Sequence, residues 1–106
     1  MIENKRIAVI IPAYNIGKKI IGVLSEMPED IDQIFLIDDN CPLKTGEIVE
    51  QNFPKIKVTK NSSNMGVGGS VKRGYEMSLE QKFDISVKFD ADGQMSSSEI
   101  IKLVKV

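Results

Sequence analysis

The feature that most restricts the fold is a repeated alternation: a short apolar run, a polar or acidic stop, then a segment with helical periodicity. Ile7-Ala8-Val9-Ile10-Ile11 is uninterrupted and closed by Pro12, the pattern of a central parallel strand buried on both faces. From Gly17 to Met27 the residues Ile20, Ile21, Val23, Leu24 and Met27 recur on one helical face, and Pro28 ends the segment. Ile34-Phe35-Leu36-Ile37 reads as a second strand that finishes in Asp38-Asp39-Asn40. Thr45 to Phe53 reads as a short helix with Ile48, Val49 and Phe53 inward, Thr45 as its cap and Glu47 in its first turn.

Ile56-Lys57-Val58 follows as a brief third strand. The turn-rich stretch from Asn61 to Gly69 is expected to be a loop feeding a third helix, with Val71, Tyr75, Ser78 and Leu79 on one face and Gly74 serving tight packing. Asp84 to Phe89 alternates toward a fourth strand, which runs into Asp90-Ala91-Asp92-Gly93-Gln94. Ser96 to Ser98 then offer capping hydroxyls to a last helix carrying Ile100, Ile101, Leu103 and Val104.

Successive strand–helix units predict an α/β fold of the doubly wound, Rossmann-like kind: a mostly parallel sheet with helices on both faces. On such sheets ligands bind at the carboxyl ends of the strands, where this sequence places Tyr14-Asn15, Asp38-Asp39 and Asp90-Ala91-Asp92. Length and charge narrow the function. The chain has 106 residues, enough for one domain, and a formal net charge of −1, which offers no field to hold nucleic acid. It has no histidine and a single cysteine, Cys41, so imidazole catalysis, a Cys/His zinc site and an internal disulfide are excluded. Met1 to Arg6 lacks the apolar stretch of a signal peptide, and no long apolar run occurs, so the expectation is a cytoplasmic chain without a membrane span.

Among the motifs, Asp90-Ala91-Asp92 with Gln94 carries the most chemistry. Two carboxylates one residue apart at a strand end supply hard oxygen donors suited to Mg²⁺ or Mn²⁺ beside a diphosphate, against the bland alternative of an acidic Asp-Gly turn. An EF-hand loop counted from Asp90 would need glycine and glutamate where Met95 and Ile101 stand. A haloacid-type phosphatase also shows an apolar strand before Asp-x-Asp-Gly, but Gln94 replaces the hydroxyl residue expected next; it is kept as a weak alternative. Asp38-Asp39 can accept a hydrogen bond from a base or a ribose, or can be a pair of solvated loop acids. Tyr14 can stack on a base or simply sit half-wet at a strand end. Gly66-Val67-Gly68-Gly69 precedes a helix and can approach a phosphate, yet Val71 stands where the dinucleotide fingerprint needs glycine. Lys72 and Arg73 read most simply as a solvated helix face.

Taken in order, Val9-Ile10-Ile11-Pro12-Ala13-Tyr14-Asn15, Phe35-Leu36-Ile37-Asp38-Asp39, Asn64-Met65-Gly66-Val67-Gly68-Gly69 and Val87-Lys88-Phe89-Asp90-Ala91-Asp92-Gly93-Gln94 resemble the family 2 inverting glycosyltransferases of the GT-A fold. The closest look is to bacterial hexose transferases and polyprenyl-phosphate mannosyl- or glucosyltransferases. Two local departures are Ile16, where an acidic residue often follows Pro-Ala-Tyr-Asn, and Asn40-Cys41-Pro42 after the Asp-Asp pair.

The resemblance implies a nucleotide-sugar site made by Pro12, Ala13, Tyr14, Asn15, Asp38, Asp39, Gly66, Asp90 and Gln94, with Asp90 and Asp92 on Mg²⁺ or Mn²⁺. It implies a uridine or guanosine diphosphate hexose as donor and a lipid-phosphate or glycan acceptor, with the parent enzyme working in cell-envelope synthesis at the inner face of the cytoplasmic membrane. Family members continue well past the Asp-x-Asp motif, where the general base and acceptor surface lie. Residues 1–106 are therefore expected to be one donor-binding part, truncated after that motif, lacking the acceptor half and inactive alone. The other expectations are a nucleotide-binding chain without chemistry, or a fragment that forms homo-oligomers through an exposed core edge.

Overall fold

The computed structural model describes residues 4–40 and 42–90. The elements are β1 (Ile7–Ala13), α1 (Lys19–Ser25), β2 (Gln33–Asp38), α2 (Thr45–Asn52), β3 (Lys57–Lys60), α3 (Gly66–Glu80) and β4 (Ile85–Lys88). The last helix expected from the sequence, with Asp92 and Gln94 before it, lies outside the described residues.

All strand pairs are parallel, in the order β3-β2-β1-β4. Burial explains the order. The unbroken apolar run of β1 takes a central place, with Ile7 to Ile11 at 0% exposure, whereas β3 and β4 keep exposed lysines at their ends. Pleat alternation then divides the core. Val9, Ile11, Ala13 and Leu36 pack with Ile20 and Leu24 of α1 and Val49 of α2, while Ala8, Ile10, Phe35 and Ile37 pack with Phe83 and with Met77 of α3. Helices cover both faces, as the alternation predicts. On the α3 side the rings of Phe35 and Phe83 meet edge to face, at 89° with centroids 5.7 Å apart, and the Arg6 guanidinium covers the Phe83 ring at 4.2 Å. No described helix is long and apolar enough to cross a membrane.

The third helix differs from its sequence reading in two ways. It starts at Gly66, so the glycine group forms its first turn instead of a loop. Its buried residues are Ser70, Gly74 and Ser78; of the face read from the sequence only Ser78 is buried, and Leu79 is 72% exposed. Small residues face the sheet because the helix runs close over it: a Cβ at Gly74 would overlap Ile10 Cγ2. Ser78 Oγ donates to the Tyr75 carbonyl at 3.0 Å and lies 2.6 Å from the Ser86 hydroxyl, which donates to it and links β4 to α3. Thr45 also departs from expectation: Lys44 occupies the cap position of α2, and the Thr45 hydroxyl accepts the Gly17 N–H at 3.0 Å, tying α2 to the loop after β1.

Candidate nucleotide-binding site

The chain runs outward from β1 through β2 to β3, then returns past β1 to place β4 on its other side. The strand order therefore reverses between β1 and β4, and a crevice opens outside their carboxyl ends. A cleft of about 130 Å³ lies there, lined by Pro12, Ala13, Tyr14, Ile16, Asp39, Val67, Ser70 and Asp90. Pro12, Ala13, Tyr14, Asp39 and Asp90 were singled out from sequence, and the fold brings them together. Tyr14 is 47% exposed at the lip, and the next residue, Asn15, turns the chain with φ of 62°, a conformation asparagine adopts more readily than most residues.

The two neighbouring aspartates separate by strand alternation. Asp38 shares the face of Leu36 and turns to α2, where its Oδ2 accepts the Gly46 N–H at 2.8 Å. Its side chain borders a second, polar cleft with Asn40, Lys44, Glu47, Lys60 and Asn61. Asp39 turns the other way, to α3. Its Oδ1 accepts the Met65 N–H at 2.6 Å and Asn61 Nδ2 at 2.9 Å, and its Oδ2 accepts the Gly66 N–H at 2.8 Å. Both aspartates are nearly buried, at 3% and 4%, which sets aside the reading of solvated loop acids.

Burial pushes the Asp39 carboxyl up, but the Met65, Asn61 and Gly66 N–H groups outweigh it and hold the group below its ordinary value. A fixed negative charge thus stands in the cleft wall at the start of α3, where the helix dipole favours it. Gly66 is drawn into this arrangement. Its N–H meets Asp39 and Asn64 Oδ1, so that amide is already engaged within the chain.

Asp90 sits at the opposite wall with a half-exposed carboxylate, 3.4 Å from Lys88 Nζ. A solvent-exposed pair of that length is weak and readily exchanged for another cation. Among the described residues no group of three potential ligands gathers. The Asp90 carboxylate by itself offers one hard oxygen donor of the kind that Mg²⁺ or Mn²⁺ takes.

The sequence reading missed Ile16, Val67 and Ser70 in the lining. It also missed Asn61, which is 3% exposed and joins Asp39 to Ser70 and Arg73. Arg73, read as part of a solvated face, donates from Nη1 to Asn61 Oδ1 at 2.7 Å. Helical spacing offered one signal: Ser70 and Arg73 stand three apart and can share a partner.

Comparison with known proteins decides which family the chain belongs to. The profile of glycosyl transferase family 2 matches residues 8–106. The chain belongs to glycosyl transferase family 2. This match replaces the haloacid-type alternative. A UDP-N-acetylglucosamine–dolichyl-phosphate N-acetylglucosaminyltransferase of Methanococcus voltae is 32% identical over 96% of this chain and 47% of its own length. An undecaprenyl-phosphate mannosyltransferase of Micrococcus luteus is 26% identical over 94% of this chain and 43% of its own. The chain thus spans less than half the length of these relatives. Among solved structures, S. aureus TarS (residues 1–349) superposes with a TM-score of 0.66 at 23% identity, over 94% of this chain and 31% of that one. A 4-diphosphocytidyl-2C-methyl-D-erythritol synthase superposes at 0.69 with 18% identity, over 96% of this chain and 54% of that one, a likeness of fold alone.

Proposed function

We propose that residues 1–106 form the donor-binding part of a transferase that moves a hexose from a nucleoside diphosphate sugar to a lipid phosphate or glycan. The observation that carries this is the convergence of Pro12, Ala13, Tyr14, Asp39 and Asp90 on one cleft at the sheet's reversal point, in a family 2 chain. The dolichyl- and undecaprenyl-phosphate substrates named for its relatives favour a polyprenyl phosphate as acceptor.

In this reading Tyr14 lies against the base, and the ionised Asp39 accepts a hydrogen from the base or ribose, a role that its low pKa keeps available at neutral pH. Pro12 and Ala13 shape the floor, and Asn15 fixes the turn that carries Tyr14. Asp38 and Gly66 act indirectly here, Asp38 by holding α2 and Gly66 by giving its N–H to Asp39. Asp90 and Asp92 would hold Mg²⁺ or Mn²⁺ near the diphosphate, with Gln94 on the donor side. Bound there, the cation supplies Lewis-acid stabilisation of the departing nucleoside diphosphate. An acceptor oxygen forms its bond to the anomeric carbon from the face opposite the diphosphate, which leaves with the electron pair of the broken bond and inverts that centre. The resemblance assigns the acceptor's general base to a region beyond the Asp-x-Asp motif, so the 106-residue chain is expected to bind donor without turning it over. Such a transfer would take place on the cytoplasmic side, where nucleotide sugars are supplied.

Calorimetric titration of the chain with uridine and guanosine diphosphates, each with and without Mn²⁺, tests the proposal. Saturable, Mn²⁺-enhanced binding of one of them supports it. A folded chain that binds neither contradicts it, and light scattering on the same sample then tests the self-associating alternative.

A further inference from the structure

Asn61, just past β3, is buried, and its side-chain amide is fully engaged. Its backbone N–H donates to the Asp38 carbonyl at 2.8 Å, its Nδ2 donates to Asp39 Oδ1 at 2.9 Å and to Ser70 Oγ at 3.1 Å, and its Oδ1 accepts from Arg73 Nη1 at 2.7 Å. The direction of the amide follows from these partners. A guanidinium has only donors, so the atom facing Arg73 must be the oxygen, and both Nδ2 hydrogens then fall on Asp39 and Ser70. Without Arg73 the Asn61 oxygen loses its donor and the amide is held only through Nδ2, so its place against the Asp39 carboxylate loosens. Asp39 is gripped from two sides, by Asn61 and by the Met65 and Gly66 N–H groups, and its rotation in the cleft wall is thereby fixed.

We propose that Asn61, oriented by Arg73, is a positioning residue for nucleoside binding: it sets the rotation of the Asp39 carboxylate so that its remaining acceptor capacity faces the cleft. The inference rests on the donor-site reading above and extends it to two residues that do not line the cleft. Ser70 belongs to the same arrangement, since it receives the second Nδ2 hydrogen and itself lines the cleft.

The test is titration with uridine and guanosine diphosphates in Mn²⁺ of the wild-type chain, Asn61→Ala, Arg73→Met, Asp39→Asn and the Asn61→Ala/Asp39→Asn double variant. The amide proton resonances of Met65 and Gly66 are followed in the wild type and in the Asn61 and Arg73 variants. Asn61→Ala should weaken binding about tenfold, the loss of one hydrogen bond to a charged group. Arg73→Met should weaken it less, and because it strips the donor from the buried Asn61 oxygen it should lower thermal unfolding by no more than Asn61→Ala does. The double variant should bind no more weakly than Asp39→Asn alone, because both changes remove the same poised carboxylate. The Met65 and Gly66 resonances should move upfield in both single variants, which a general loss of stability would not cause. If Asn61→Ala does not fold, Arg73→Met and its resonances decide. Wild-type affinity in both single variants with unmoved resonances, or additive losses in the double variant, would overturn the positioning role alone. A wild-type chain that binds neither nucleotide would overturn the donor-site reading and this inference with it.

Discussion

Gly74 of α3 lies against Ile10 of β1 so closely that a Cβ on the glycine would overlap Cγ2 of Ile10 and stand 3.1 Å from its Cγ1. This contact sets the height of α3 above the sheet, and with it the positions of Ser70 and Val67, which line the cleft on the helix's earlier turns. Gly74→Ala gains helix propensity worth about 1 kcal/mol but must open a packed contact costing about 1–3 kcal/mol, so the net effect is destabilising. Thermal unfolding should fall by several degrees. Gly68→Ala, with nothing within 4 Å of the added carbon, is the control and should match or exceed wild type.

Asp38 holds the start of α2 by accepting the Gly46 N–H, and the space around that bond is closed. A Cβ on Gly46 would come 2.7 Å from Asp38 Oδ2 and 3.2 Å from Val58 Cγ1. Asp38→Ala should cost about 1–2 kcal/mol in denaturant unfolding, the range of a lost helix cap. Gly46→Ala should be destabilised as well, since its neighbours are side chains of β2 and β3 packed from the sheet side. Unchanged midpoints in both would contradict this account of α2.

Asp39 links stability to pH. Its folded pKa lies below its unfolded value, so on acidification the unfolded chain takes up the proton first and gains population. The stabilisation is complete above the unfolded carboxyl value of about 4 and is lost as pH falls through the folded one. Wild-type stability should therefore drop more steeply below about pH 4 than that of Asp39→Asn, which carries no titrating group there. Parallel slopes in acid unfolding curves would contradict it.

Tyr14 projects from the turn after β1 with half its surface exposed at the cleft's lip. Aromatic stacking on a base is worth about 1–3 kcal/mol, so Tyr14→Ala should weaken nucleoside diphosphate binding by about tenfold or more. Its unfolding midpoint should fall by only a few degrees, because about half of the residue is already exposed to solvent. A variant that binds as tightly as wild type would remove Tyr14 from the site.

Strand positions were legible because β1 and β2 are apolar on both faces, and their acidic or polar stops marked the sheet's carboxyl edge directly. Helix α3 was misread for a physical reason. A helix pressed close to a sheet buries small residues, here Ser70, Gly74 and Ser78, whereas a hydrophobicity pattern points to its larger ones, Val71, Tyr75 and Leu79. The joint placement of Asp39 and Asp90 could be expected from strand ends. The different duties of Asp38 and Asp39 could not, since they depend on which helix covers which face. Asn61 was hidden altogether, because an asparagine in a turn-rich stretch looks the same whether it faces water or two buried partners.

The central claim is that the cleft between the ends of β1 and β4 holds a nucleoside diphosphate, and titration of the folded 106-residue chain tests it most directly. Uridine and guanosine diphosphates are added with and without Mn²⁺, beside an Asp92→Ala control at the motif position outside the described residues. The account predicts saturable binding of one nucleotide that Mn²⁺ strengthens and that Asp92→Ala loses. Binding of neither nucleotide by a folded chain, or binding indifferent to both Mn²⁺ and Asp92, would contradict it.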